Sequence, residues 1–92
     1  MILAKLRVND FEQFWSVFSD RGAKQRASFG SKGSQVLRSG ADRDELWILF
    51  DWDEDGYRRF VADANSRQLM SEAGLQGPPE PVFVDQAGAL ES

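Results

Sequence analysis

The chain has 92 residues and a mass of 10.4 kDa, with 41% hydrophobic and 28% charged side chains, which fits one small globular domain and excludes a two-domain protein. It has no Cys and no His, so disulfides, thiolate nucleophiles, Cys/His zinc sites, His-ligated haem and imidazole acid–base chemistry are all excluded. A formal charge of −4 and a pI near 4.7 oppose a domain held on nucleic acid or an anionic membrane by general electrostatics. Met1 to Val8 is short and interrupted by Lys5 and Arg7, so it is no signal-peptide core, and no run approaches transmembrane length. The expected compartment is the cytoplasm.

Ile2 to Val8 alternates Ile2, Ala4, Leu6 and Val8 against Leu3, Lys5 and Arg7, the period-two pattern of a strand. Asn9 and Asp10 are good N-caps, and Glu12 or Gln13 completes a capping box, so a helix starts here. Phe11, Phe14, Trp15 and Phe18 fall on one helical stripe, which Gly22, Gln25 and Phe29 extend to an end near Gly30. Ser31 to Ser34 reads as a loop and Gln35 to Ser39 as a short strand. Gly40 to Asp44 then reads as a hairpin connection. Glu45 to Trp52 is the strongest strand pattern, and its Leu46-Trp47-Ile48-Leu49-Phe50 run is apolar on both faces. Asp53-Glu54-Asp55 caps a second helix carrying Tyr57, Phe60, Val61 and Ala64, interrupted at Asn65-Ser66. A last turn with Leu69, Met70 and Ala73 stops at Gly74. Gly77-Pro78-Pro79 cannot continue a helix, and Val82-Phe83-Val84 after Pro81 forms the final strand. Residues 1–86 are thus one domain and 87–92 a tail.

The order βαββαβ, with a right-handed crossover in each half, predicts an α+β ferredoxin-like fold. Its four-stranded antiparallel sheet carries both helices on one face. A chain this short buries only about 60–65% of its unfolded surface, so a second apolar sheet face needs cover from outside. Trp47 and Leu49 lie on that face with Leu3, Lys5 and Arg7, which predicts a homodimer joined through these five residues. Glu45 and Asp51 share the face and offer ion-pair partners for Lys5 and Arg7.

Several patterns imitate chemical motifs. Asp51-Trp52-Asp53-Glu54-Asp55-Gly56 opens like a calcium-binding loop, but its twelfth position is Ala62 where a bidentate carboxylate is required, so the stretch reads as a helix cap. Arg58-Arg59 beside Phe60 reads as a solvated helix face, because the exposed aromatics of RNA-recognition strands are missing. No Ser–His–Asp triad is possible, and Lys5, Lys24 and Lys32 show no pairing that suggests a Ser–Lys dyad. The aromatic stripe of the first helix reads first as core. Two small residues facing the same layer, Gly22 and Ala4, allow either close helix–sheet packing or a cavity between the layers.

The strand exit Val8-Asn9-Asp10-Phe11, the helix segment Phe14-Trp15-Ser16-Val17-Phe18, the strand Leu46 to Trp52 with Asp53, and the Leu69-Met70, Ala73-Gly74 and Gly77-Pro78-Pro79-Glu80 ending resemble small bacterial proteins of the dimeric α/β-barrel superfamily. That superfamily includes the antibiotic-biosynthesis-monooxygenase-like proteins. The resemblance implies two ferredoxin-like subunits packed sheet to sheet as a dimeric α/β barrel, with ligand pockets between helices and sheet. It also implies activities such as cofactor-free oxidation of aromatic polyketides, haem degradation or haem-dependent peroxidation.

The absence of His removes the haem-dependent branches, so no cofactor and no metal is expected. Relatives often carry His near the position of Arg21, and an arginine there is no general base at neutral pH. The resemblance offers Trp15, Phe18, Arg21, Trp52, Tyr57 and Asn65 as ligand-pocket residues, and no catalytic residue is assigned. The aromatic members would hold a ring, and Arg21, Tyr57 or Asn65 would stabilise an oxyanion. The expected function is a metal-free monooxygenase-like enzyme, or a binder of a small aromatic, polyketide-like molecule. The alternative is a non-catalytic homodimeric binding or interaction module.

Overall fold

Alternation in the first strand sorts Ile2, Ala4, Leu6 and Val8 to a buried face and Leu3, Lys5 and Arg7 to the other. A computed structural model of the protein describes all 92 residues as β1 (Ile2–Arg7), α1 (Phe11–Phe18), α2 (Arg21–Ser28), β2 (Gly33–Arg38), β3 (Glu45–Asp51), α3 (Glu54–Ala62), α4 (Ala64–Glu72) and β4 (Glu80–Phe83). The strands form one antiparallel sheet in the order β2-β3-β1-β4. This is the expected ferredoxin-like order, with each expected helix divided into two. No helix is long and apolar enough to cross a membrane.

Both divisions have local causes. The first helix does not run on to Gly30. The Ser19 hydroxyl donates to the Trp15 carbonyl at 2.6 Å, and Asp20 leaves helical geometry at φ −119°, ψ −91° before α2 begins. In the second, the break falls at Asp63 rather than at Asn65-Ser66. Asp63 is extended at φ −79°, ψ 133° and its carboxylate accepts from the Ser66 N–H at 3.0 Å, so one residue ends α3 and caps α4. Gly74, at φ 77°, follows α4 as the expected left-handed stop. β2 begins at Gly33, two residues earlier than the hydrophobic pattern predicts. The final strand includes Pro81 instead of starting after it, which an edge strand tolerates because a missing ladder donor costs least there.

The core lies between the inward sheet face and the helices. β1 supplies Ile2, Ala4 and Leu6, β3 supplies Leu46, Ile48 and Phe50, and the helices add Phe14, Val17, Tyr57 and Phe60. Trp15 is not part of this core. It is 44% exposed and stacks on the outer edge of the stripe against Phe11 and Phe18, while Val17 takes the inward position. The stripe therefore centres on Phe14 and Val17, and Trp15 lies one residue's rotation off it.

The outward sheet face carries apolar residues from all four strands. Leu3 pairs with Leu49 and Val82, and Trp47 pairs with Leu37 and Lys5. Leu37 is 57% and Val82 56% exposed. The ion pairs expected on this face form within the chain. Lys5 lies 3.9 Å and Arg7 3.8 Å from the Glu45 carboxylate, and Arg7 also pairs with Asp42 in the hairpin connection. Asp51 joins none of them.

Candidate cavity between helices and sheet

Small residues at the helix–sheet junction open a space that larger ones would fill. Ala4 from β1 and Gly22 from α2 line a cavity of about 70 Å³, with Phe14, Phe18, Phe50, Trp52, Tyr57 and Phe60 around it and Leu69, Met70 and Leu75 on the α4 side. A buried water needs about 10–15 Å³ of such space, so the cavity has room for about one aromatic ring. Of the two alternatives for Gly22, the cavity is the one realised, and the close packing there is between helices rather than against the sheet. A Cβ there would meet the Val17 carbonyl oxygen at 2.9 Å, so glycine permits close packing at the α1–α2 elbow and also faces the open space.

The aromatic wall is fixed by its own contacts. The Trp52 indole N–H donates to the Phe29 carbonyl at 2.9 Å, and its ring meets Phe50, Tyr57 and Phe60 edge-on at 5.2–5.6 Å between centroids. Asp53, the third residue of the stretch that opens like a calcium-binding loop, accepts from the Gly56 N–H at 2.6 Å as the cap of α3. Arg58 and Arg59 pair with Glu54 and Asp55 along the outer face of the same helix.

Two titratable residues are among those lining the cavity, Tyr57 and Arg26. Burial pushes the Tyr57 phenol pKa up. Tyr57, Val61 and Pro79 also line an adjoining groove of about 320 Å³ against Arg58, Pro81 and Phe83, so the cavity and the groove share one wall. Arg26 is only 7% exposed. Its guanidinium stacks on Phe18 with Cζ 3.7 Å from the ring centroid, and Nη2 donates to the Phe18 carbonyl at 2.9 Å. Burial pushes its pKa down to about 10, so it is still a cation near neutral pH.

Of the six pocket residues expected from sequence, Phe18, Trp52 and Tyr57 line the cavity together. Trp15, Arg21 and Asn65 do not. Trp15 is on the outer surface, Arg21 is exposed and paired with Glu72 at 2.8 Å, and the exposed Asn65 amide donates to Gln25 Oε1 at 3.2 Å. Arg26 is the residue that sequence reasoning missed. Its signal was its place on the apolar stripe, one turn beyond Gly22 and two beyond Phe18, where a charged residue reads as solvated by chemistry and inward by phase.

Solved structures supply the comparison for this architecture. SnoaB, a cofactor-independent oxygenase from Streptomyces nogalater, is 21% identical with a TM-score of 0.70, over 94% of this chain and 92% of that one. The fold is that of the antibiotic-biosynthesis-monooxygenase-like proteins. A monooxygenase from the gene ActVA-Orf6 of Streptomyces coelicolor, in complex with the ligand nanaomycin D, is 23% identical with a TM-score of 0.66, over 99% of this chain and 89% of that one. A conserved protein from Methanosarcina mazei Go1 shares the fold at 15% identity and a TM-score of 0.63, over 88% and 85% of the two chains. No family model matches the sequence, and no curated protein does.

Proposed function

We propose that this chain is a metal-free, monooxygenase-like protein that takes a small aromatic, polyketide-like molecule into the cavity between its helices and sheet. The observation that carries this reading is the cavity itself. It has the room of one ring and an aromatic wall of Phe18, Phe50, Trp52 and Phe60, and a groove lies on the other side of Tyr57. An electron-rich phenol can supply the electrons for its own oxidation. With O₂ it gives a quinone and water, one oxygen atom entering the ring and the other leaving as water, with no external reductant. Chemistry of that kind asks the protein for an apolar chamber, a held ring and stabilisation of oxyanion charge.

The working unit in this reading is a homodimer. The apolar outward face built from Leu3, Leu37, Trp47, Leu49 and Val82 is continuous across the sheet, and a second copy offers the same surface with Lys5, Arg7 and Glu45 at its edge.

A second reading, a binding module without catalysis, is favoured by one feature. No carboxylate lines the cavity, so no general base stands ready to take a phenol proton.

Oxygen-electrode and thermal-shift measurements on a panel of phenols, naphthols and anthrones test both readings. A rise in Tm with at least one of them, together with protein-dependent oxygen uptake and quinone formation, is expected for the enzyme. A Tm rise without oxygen uptake leaves the binding module. No Tm rise with any of them removes the aromatic ligand altogether.

A further inference from the structure

Arg26 is a buried cation without a counter-charge. A guanidinium carries five N–H donors, yet this one makes a single hydrogen bond, from Nη2 to the Phe18 carbonyl. It takes part in none of the molecule's ion pairs. Its guanidinium packs directly against Gly22, where a Cβ would stand 3.1 Å from Arg26 Nη1, and the residue lines the cavity on its other side. No buried side-chain nitrogen or oxygen of the protein is both sealed from its surroundings and unpaired, so the donors left over on Arg26 keep open space beside them. Tyr57 is the only other titratable group lining the cavity, and neither Asp nor Glu does so.

A cation in an apolar wall is expensive to maintain unless something neutralises it. Here the protein supplies an aromatic face and one carbonyl but no anion. We infer that the cavity selects aromatic molecules bearing an oxyanion, a phenolate or a carboxylate, whose oxygen accepts from the free donors of Arg26 and completes their pairing. The inference rests on the aromatic reading of the cavity given above. It also accounts for the missing general base, since a ligand that enters as an anion needs no proton removed inside.

Three probes of one shape test it. 4-Nitrotoluene is neutral, whereas 4-nitrophenol and 4-nitrobenzoic acid are phenolate and carboxylate at mildly alkaline pH. Binding to the wild-type protein and to Arg26→Met and Arg26→Lys is followed by quenching of tryptophan fluorescence, with the ligand-free Tm showing that each variant is folded. The wild type is expected to bind at least one anion about tenfold or more tighter than the neutral probe. Arg26→Met should erase that preference while still binding 4-nitrotoluene, and Arg26→Lys should restore part of it. The wild-type protein should also lower the apparent pKa of 4-nitrophenol, which Arg26→Met should not. Preference for one anion over the other decides between phenolate and carboxylate. Equal binding of all three probes by the wild type, or an anion preference that survives in Arg26→Met, overturns the inference and leaves aromatic binding standing. Binding of none of the three overturns the inference and the aromatic reading together, whereas failure of oxygen uptake alone touches only catalysis.

Discussion

Gly22 lies directly against the guanidinium of Arg26, with no room for a methyl group between Arg26 Nη1 and the carbonyl oxygen of Val17. The contact couples the elbow between α1 and α2 to the only charge in the cavity. In Gly22→Ala either the elbow opens or Arg26 moves off Phe18. A loss of about 1–3 kcal/mol is expected, as for other overpacked sites. Each kcal/mol lowers Tm by about 4–8 °C in a domain of this size, which thermal denaturation followed by circular dichroism measures.

Arg26 itself costs stability in the ligand-free protein. Burial pushes its pKa down to about 10, because the charged form is poorly solvated where it sits. Partial solvent contact and the stacking on Phe18 offset some of that penalty. Arg26→Met should therefore raise stability near neutral pH by about 1–2 kcal/mol in urea unfolding, even as it alters binding. A fall in stability would mean that the carbonyl bond and stacking outweigh desolvation.

Tyr57 and Arg26 act in opposite directions at alkaline pH. Burial raises the Tyr57 pKa above its ordinary value of 10.0, so above that pH the unfolded chain releases a proton that the folded one retains, and stability falls. Arg26 has its folded pKa depressed to about 10, so above that pH the unfolded chain holds the extra proton and stability rises with pH. Tyr57→Phe should accordingly flatten the alkaline decline of Tm, and Arg26→Met should steepen it. Profiles that superpose on the wild type would show that neither group is perturbed by burial.

The hydrogen bond from Trp52 to Phe29 passes over Gly56. A Cβ there would lie 2.4 Å from the Phe29 carbonyl oxygen and 2.7 Å from Trp52 Nε1. Gly56→Ala should cost about 2 kcal/mol or more, since one of the contacts is backbone and cannot turn aside. Trp52→Phe, which keeps an aromatic wall but strands the Phe29 carbonyl, should cost about 1–3 kcal/mol. Chemical denaturation of both variants checks the two values.

Asp63 ties the helices together. Its carboxylate accepts from the Ser66 N–H and from the Gln25 amide, both at 3.0 Å, and Ser66 is fully buried beneath it. Asp63→Ala removes the α4 cap and the bridge to α2, with an expected loss of about 1–2 kcal/mol. Hydrogen exchange should show the loss first as faster exchange in the opening turn of α4.

On the outward sheet face, Trp47 is 37% exposed beneath the Lys5 ammonium, 5.6 Å from its ring. Trp47→Glu would set a carboxylate in the middle of the surface that a second copy is proposed to cover. Analytical ultracentrifugation should find the wild type dimeric at micromolar concentration and this variant shifted to monomer, with its circular dichroism spectrum retained. A monomeric wild type would refute the dimer.

The strand pattern was legible because a period of two is local. Ile2, Ala4 and Leu6 alternate with Lys5 and Arg7 whatever the rest of the chain does, and the doubly apolar Leu46 to Phe50 run marked the centre of the sheet. Caps were legible for the same reason, as at Asp10, Asp53 and Gly74, where one residue type meets one backbone requirement. Helix phase was less secure, because a rotation of about 100°, one residue's worth, exchanges Trp15 for Val17 at the core, and the packing of α1 onto the sheet sets that rotation.

By itself, then, the sequence determined the element order, the inward and outward strand faces and the exclusion of imidazole and thiol chemistry, all of which depend on local pattern or composition. The tertiary structure alone decided which polar side chains meet the cavity. Arg21 turned outward to Glu72, Asn65 turned to Gln25, and Arg26 was carried inward over Gly22 onto Phe18. Those outcomes depend on where two short helices break and how they seat on the sheet. Charge, which in a sequence signals solvent, was overridden at Arg26 by the position of its Cα on the inward face.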